Sequence, residues 1–156
     1  MTTTISADRV EERIVEREHQ ALRAGLAMLQ EAIAEAYRST RPELAQQVAR
    51  TTGWLHRELL PHAAWEEAWL YPHADHATGT PWTTRGLRFQ HEQIRELAGA
   101  LERASVIAQE RWGPEIVHGL VAAMTRLDAL VTAHLAQEEI TVMPLLESAI
   151  AEPGRA

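Results

Sequence analysis

Pro61-His62-Ala63-Ala64-Trp65-Glu66-Glu67 and Ala133-His134-Leu135-Ala136-Gln137-Glu138-Glu139 are two versions of one phrase, a histidine followed four positions later by a glutamate. On an α-helix, residues i and i+4 share a face, so each phrase projects an imidazole and a carboxylate to the same side. Two such pairs make a candidate metal cage.

The segments around the phrases are helical in period. From Asp8 to Arg38, the residues Val15, His19, Leu22, Leu26, Leu29 and Ile33 recur at three- and four-residue steps, the pattern of an amphipathic helix. Ser39-Thr40-Arg41-Pro42 ends it, and Pro42 suits the first turn of a new helix. That second helix is predicted over 42–71, with Leu44, Val48, Thr51, Leu55, Leu59, His62, Glu66 and Leu70 on one side and a bend at Pro61. Residues 72–81 read as a Pro-rich connection containing Gly79, after which Thr83 or Thr84 can cap a third helix over 84–110. Gly113-Pro114 is the next break. The fourth helix is predicted over 115–148, carrying Leu120, Met124, Leu127, Leu130, His134, Glu138, Thr141 and Leu145, with Pro144 distorting its last turn. Four long helices with mostly short connections predict an all-α fold, an antiparallel up-down-up-down four-helix bundle forming one domain over residues 1–156.

Antiparallel order brings the start of one helix level with the end of its neighbour. His19 is then near the start of helix one, His62 and Glu66 near the end of helix two, His91 early in helix three, and His134 and Glu138 late in helix four. All six fall at one end of the bundle. At about 1.5 Å of rise per residue, each set lies roughly 10 to 18 Å from that end. The helical wheel puts His91 with Leu87 and Ile94, and His134 with Leu127 and Leu130, on the apolar stripes. Burying these imidazoles and carboxylates without a cation would cost several kcal/mol for each unpaired charge, as an order of magnitude. Four neutral imidazoles and two carboxylates suit Fe, Mn or Zn rather than Ca or Mg. Since carboxylates can bridge, six protein ligands are enough for two ions with positions left for a small molecule.

Composition bounds the setting. The 156 residues are 46% hydrophobic and 24% charged, with no cysteine. Thiolate metal sites, disulfides and cysteine nucleophiles are thereby excluded. A formal net charge of -7 argues against nucleic acid, which is bound largely through Lys and Arg on phosphates. No apolar run approaches membrane-spanning length, and Met1 to Glu12 lacks the basic and apolar blocks of a secretory signal, so no membrane partner and a cytoplasmic address are expected.

At these residues the sequence resembles the hemerythrin family, the proteins with HHE cation-binding domains. The likeness runs from about His19 to Glu147 and includes the proline after each phrase, Pro72 and Pro144. The resemblance implies a four-helix bundle around a non-haem di-iron centre, two iron ions joined by an oxo or hydroxo bridge and by carboxylates, that binds dioxygen or related small molecules. By it, His19, His62, His91 and His134 are terminal ligands, and Glu66 and Glu138 bridge the irons. Manganese and zinc are second choices. Oxygen-carrying members have His-x3-His in the third helix, where this chain has His91 and Arg95. One terminal ligand is missing, which leaves an extra open position or a replacement from elsewhere and suits peroxide or nitric oxide chemistry. Three readings follow: an oxidant-binding sensor, scavenger or carrier; a di-iron enzyme acting on peroxide or nitric oxide; and an iron storage or donation protein.

Nearby residues have plainer readings. Arg95 is expected to pair with Glu92 or with a carboxylate on a neighbouring helix. Glu67 and Glu139, about 140° from their histidines on the wheel, are expected in solvated or inter-helix roles, with support of a ligand as the alternative. Trp65, Trp69 and Tyr71 are expected to be packing, and His56 and His118 surface or packing residues. His73 and His76 are considered as a substitute ligand or an access gate. The Glu-x-x-His spacings at Glu16 and His19 and at Glu115 and His118 match ferritin-like sites, but they lie at opposite ends of the bundle. No His-Glu-x-x-His motif marks a zinc hydrolase.

Overall fold

The computed structural model describes the backbone of residues 7–145 and the side chains of residues 17–145. The side chains of Val15 and Glu16 and the expected extension of the fourth helix to Ser148 lie outside them. Among the described residues there is no strand, and four long helices make up a helical bundle. Helix α1 spans Ala7–Glu35. Helix α2 runs over 41–78 and is entered through Thr40, whose backbone N–H and hydroxyl both donate to Glu43, each at 2.7 Å. Helix α3 spans Trp82–Glu110 and α4 spans Pro114–Thr141.

Helix α2 departs most from expectation. Pro61 and Pro72 each lack the N–H that would close an α-turn, and a proline ring crowds the carbonyl four residues back. The chain answers with a π-helical turn before each, Leu55–Leu59 and Glu66–Leu70, where Leu60 N–H donates to Leu55 O and Tyr71 N–H to Glu66 O. Relieved in this way, the helix passes through Pro72 and continues to Thr78, where Gly79 ends it at φ 68°. The expected connection over 72–81 is thus reduced to a short turn. Thr84 does not begin α3 as a cap; α3 starts at Trp82, and the Thr84 N–H and hydroxyl donate to Asp75 at 3.2 and 2.9 Å. The acceptor comes from α2 because α2 is long enough to reach. The regular run of α4 ends at Thr141, and after a turn at Val142 residues 143–145, which include Pro144, are helical again.

The apolar stripes form two clusters. The larger contains Leu22, Leu26 and Leu29, Leu44, Val48, Leu55 and Leu59, Ile94 and Leu101, and Leu120, Met124, Leu127 and Val131. The smaller contains Leu70, Tyr71, Ala74, Leu87 and Val142. Each fully buried Leu or Ile contributes about 1.5–3 kcal/mol. Along α2, α3 and α4 the polar cluster residues fall between the two: His62 and Glu66 between Leu59 and Leu70, His91 between Leu87 and Ile94, Glu138 between Leu135 and Val142. A polar layer is therefore closed by hydrocarbon on both sides.

The expectation that no apolar run reaches membrane-spanning length is met by an exception: α4 together with the turn that follows it, Pro114–Leu145, is by length and composition alone long and apolar enough. Its apolar face is spent on the core through Leu120, Met124, Leu127 and Val131, and it also buries His134 and Glu138. Such a helix does not indicate a membrane span.

Candidate metal centre

His19 on α1, His62 and Glu66 on α2, His91 on α3, and His134 and Glu138 on α4 meet in one cluster, none more than 6% exposed. Two groups of donor atoms within it each lie within 4.8 Å of one another: His19, His62, Glu66 and Glu138, and Glu66, His91 and His134. Glu66 belongs to both. Its Oε1 is 2.6 Å from His62 Nε2 and 3.7 Å from His19 Nε2, whereas its Oε2 is 3.2 Å from His91 Nε2 and 3.9 Å from His134 Nε2. Glu138 Oε2 lies 3.2 Å from His19 Nε2 and 3.9 Å from His134 Nε2.

The outer nitrogen of every imidazole has its own acceptor. His62 Nδ1 is 2.6 Å from Glu18, His91 Nδ1 2.9 Å from Glu67, His134 Nδ1 3.0 Å from the Gln90 amide oxygen and His19 Nδ1 3.3 Å from Glu139. The contacts form a closed relay. Each acceptor is the chain neighbour of a cluster residue on its own helix, and each serves the histidine of another helix, from α1 to α2, α2 to α3, α3 to α4 and α4 back to α1. With Nδ1–H donating outward, each Nε2 lone pair is directed into the cluster, the arrangement that prepares a histidine for a metal.

The donor set fits a cation. His91 and His134 Nε2 stand 3.0 Å apart, and two lone pairs at that distance repel unless a proton or metal lies between them. His19 Nε2, His62 Nε2, Glu66 Oε1 and both Glu138 carboxylate oxygens are buried with no hydrogen bond of normal geometry, although His62 Nε2 and Glu66 Oε1 stand 2.6 Å apart, a costly condition that a shared cation relieves. Electrostatics agree. Burial would lower the His19 pKa, but Glu138 and Glu66 outweigh it and push it up to about 10. Burial likewise opposes protonation of His62, whose pKa is nonetheless raised by Glu66 and Glu18. Burial would raise Glu66, yet the four imidazoles hold it well below the usual carboxylate range. Glu138 is pushed up by burial, with His19 opposing and Glu66 adding to the rise. Without a metal, protons take the place of positive charge; a metal ion would replace them.

All six residues singled out in the sequence are thus brought together. Glu67 and Glu139 take the inter-helix role, holding His91 and His19. Arg95 pairs with Glu67 of the neighbouring helix at 2.7 Å and leaves the cluster. Trp65 stacks near His62 with ring centroids 6.4 Å apart, while Trp69 is 62% exposed and forms no wall. His73 is exposed and bound to Trp69 O of its own helix, His76 is exposed, His56 pairs with Glu102 and His118 with Tyr37, all away from the cluster.

Three residues were missed. Glu18 and Gln90 carried a signal, because each precedes a cluster histidine. Tyr71, expected as packing, has its hydroxyl 3.4 Å from Glu66 Oε2 and 3.3 Å from His91 Nε2. On an ideal α-helix Tyr71 would be turned about 140° from Glu66; the π turn, in which Tyr71 N–H donates to Glu66 O, carries it to the same side.

No curated protein and no solved structure matches the chain. The family model of the hemerythrin HHE cation-binding domain matches residues 11–146, which include all six cluster residues and their four acceptors. Family and cluster together imply a metal cofactor. The chain belongs to the hemerythrin family of HHE cation-binding domains.

Proposed function

We propose that the cluster holds a non-haem di-iron centre, with His19, His62, Glu66, His91, His134 and Glu138 as protein ligands, and that the protein binds dioxygen or a related oxidant there for sensing, scavenging or carriage. The observation that carries this reading is the division of Glu66, with Oε1 toward His19 and His62 and Oε2 toward His91 and His134. One carboxylate spanning two donor groups is what a pair of cations requires. An up-down-up-down antiparallel order in a single domain accords with the contacts His19–Glu139, Gln30–Asp128 and Tyr37–His118, in which α1 rises as α4 falls.

A bound iron pair supplies the electrons exchanged with the oxidant. The residues of the chain bind and orient: the outer acceptors aim the four imidazoles, and the two apolar clusters keep bulk water from the polar layer. Tyr71 holds a phenolic proton at the cluster, its pKa raised by burial and by Glu66 and Glu138. A second reading, an enzyme acting on peroxide or nitric oxide, is favoured by Arg95, which turns to Glu67 where oxygen carriers have a ligand. The reading includes a cytoplasmic protein with a small oxidant as its partner and no membrane or nucleic acid, and the net charge of -7 supports the last of these.

The test is the metal content of untagged protein expressed with ample iron. About two irons per chain, with a visible spectrum that responds to oxygen or peroxide, is expected. A different metal, or a single ion, overturns the di-iron reading. Sustained consumption of peroxide or nitric oxide selects the enzyme, and readily exchanged iron without oxidant chemistry selects storage.

A further inference from the structure

The chain contains five tryptophans, Trp54, Trp65, Trp69, Trp82 and Trp112. Among the described residues only Trp65 is in ring contact with a cluster residue. It lies three positions after His62, on the same face of the helix, and the two rings stack with centroids 6.4 Å apart and planes at 26°. We propose that Trp65 is a redox-active side chain of the metal centre, giving an electron through His62 when peroxide draws one and recovering it from a reductant in solution. The inference rests on the iron reading above and adds a residue to it.

With no cysteine in the chain, indoles and phenols are the side chains most readily oxidised by one electron. Two stand beside the cluster, Trp65 and Tyr71. Tyr71 is fully buried, so an electron lost there is not replaced directly from solution. Trp65 packs against the smaller apolar cluster yet is partly exposed, and so touches both a candidate ligand and the solvent. The remaining tryptophans lack that pairing: Trp54 is buried in the larger apolar cluster, and Trp69, Trp82 and Trp112 are exposed without a ring contact to the cluster histidines. The chemistry balances. Hydrogen peroxide takes two electrons and two protons to become two waters. Trp65 gives them one electron at a time: the indole loses an electron and its Nε1 proton, and the neutral radical then takes one electron and one proton from a one-electron reductant of the ascorbate class. Two such cycles consume one peroxide. Without a reductant the radical loses a second electron and water adds to the ring, so that one indole and one peroxide give one hydroxylated indole and one water. Oxidation drawn to Trp65 is thereby kept from the imidazoles that hold the metal.

Iron-loaded protein treated with hydrogen peroxide, with and without ascorbate, tests this by peptide mass spectrometry alongside iron analysis and visible spectroscopy. The other tryptophans are the control: Trp69 and Trp82 are 62% and 68% exposed, so oxidant acting from solution marks them first. An added oxygen is expected on Trp65 ahead of both, suppressed by ascorbate and absent from protein without iron. Trp65→Phe is expected to keep its iron and its helical circular dichroism, and to lose that iron after severalfold fewer equivalents of peroxide. Oxidation led by Trp69 and Trp82, or an unmarked Trp65 while the iron spectrum responds to peroxide, overturns the role of Trp65 and leaves the di-iron reading standing. Absence of bound iron, or iron inert to peroxide, overturns the proposal together with the reading on which it rests. The wild-type peptide map decides the matter even if Trp65→Phe does not fold.

Discussion

Glu18, on the first helix, accepts the Nδ1 proton of His62, on the second, at 2.6 Å, and so directs His62 Nε2 to within 2.6 Å of Glu66. Glu18 is partly exposed, so little of its value lies in packing. Glu18→Ala is expected to weaken metal binding about 10–100-fold, the usual cost of losing a partner of a ligating histidine, whereas Glu18→Gln, which keeps an acceptor oxygen, is expected to lose less. Metal titration of both variants checks this. Equal affinity for wild type and Glu18→Ala would show that His62 is aimed by other means.

Glu67 serves the other side of the cluster, taking His91 Nδ1 at 2.9 Å and Arg95 Nη2 at 2.7 Å on one oxygen. Burial would raise its pKa, but Arg95 and His91 lower it, so it is a carboxylate at neutral pH. Glu67→Ala is expected to cost a comparable factor, about 10–100-fold, in affinity for the ion near His91 and His134 and to spare the first ion bound. A stepwise titration separates the two events. An equal loss at both steps contradicts the assignment.

Protons and metal compete for His19. Its folded pKa, about 10, stands above the ordinary 6.5, so in metal-free protein its stabilising contribution is full below pH 6.5 and is lost as pH rises through 10. Metal needs the deprotonated ring, and its affinity rises over the same interval. The gap in Tm between loaded and metal-free protein should therefore widen from pH 6.5 upward, as calorimetry can follow. A gap that is constant or narrows is the contrary result.

Removing the metal should cost stability at any fixed pH. At free metal one hundred times the Kd, binding contributes about 2.7 kcal/mol, or roughly 5–10 °C in Tm for a chain of this size. A Tm indifferent to chelator would mean that the buried histidines are satisfied without a cation.

Gly25 is a packing requirement. A Cβ built there would overlap the Trp54 indole at Nε1 and Cε2, and the Trp54 side chain is buried, at 3% exposure. Gly25→Ala is expected to cost about 1–3 kcal/mol despite the better helix propensity of alanine. Chemical denaturation measures it; a more stable variant would show that the indole shifts freely.

The histidine and glutamate phrases, with apolar residues at helical steps, were enough to place His19, His62, Glu66, His91, His134 and Glu138 on inward faces, because helical period is a local property written in neighbouring residues. The extent of α2 was misread at Pro72, since a proline ordinarily ends a helix and only its packing against α3, through Asp75, Thr84 and Arg88, rewards continuing it. The same π turn rotates Tyr71 into the cluster, where an ideal wheel places it elsewhere.

By itself the sequence determined the helices, their buried stripes and a cysteine-free set of nitrogen and oxygen donors. Only the tertiary structure decided which acceptor holds which histidine, pairings that link positions 24 to 120 residues apart, and how the two oxygens of Glu66 are shared. Those depend on which helix lies beside which and on the rotation of each about its axis, quantities set by packing between helices and not by hydrogen bonding within them.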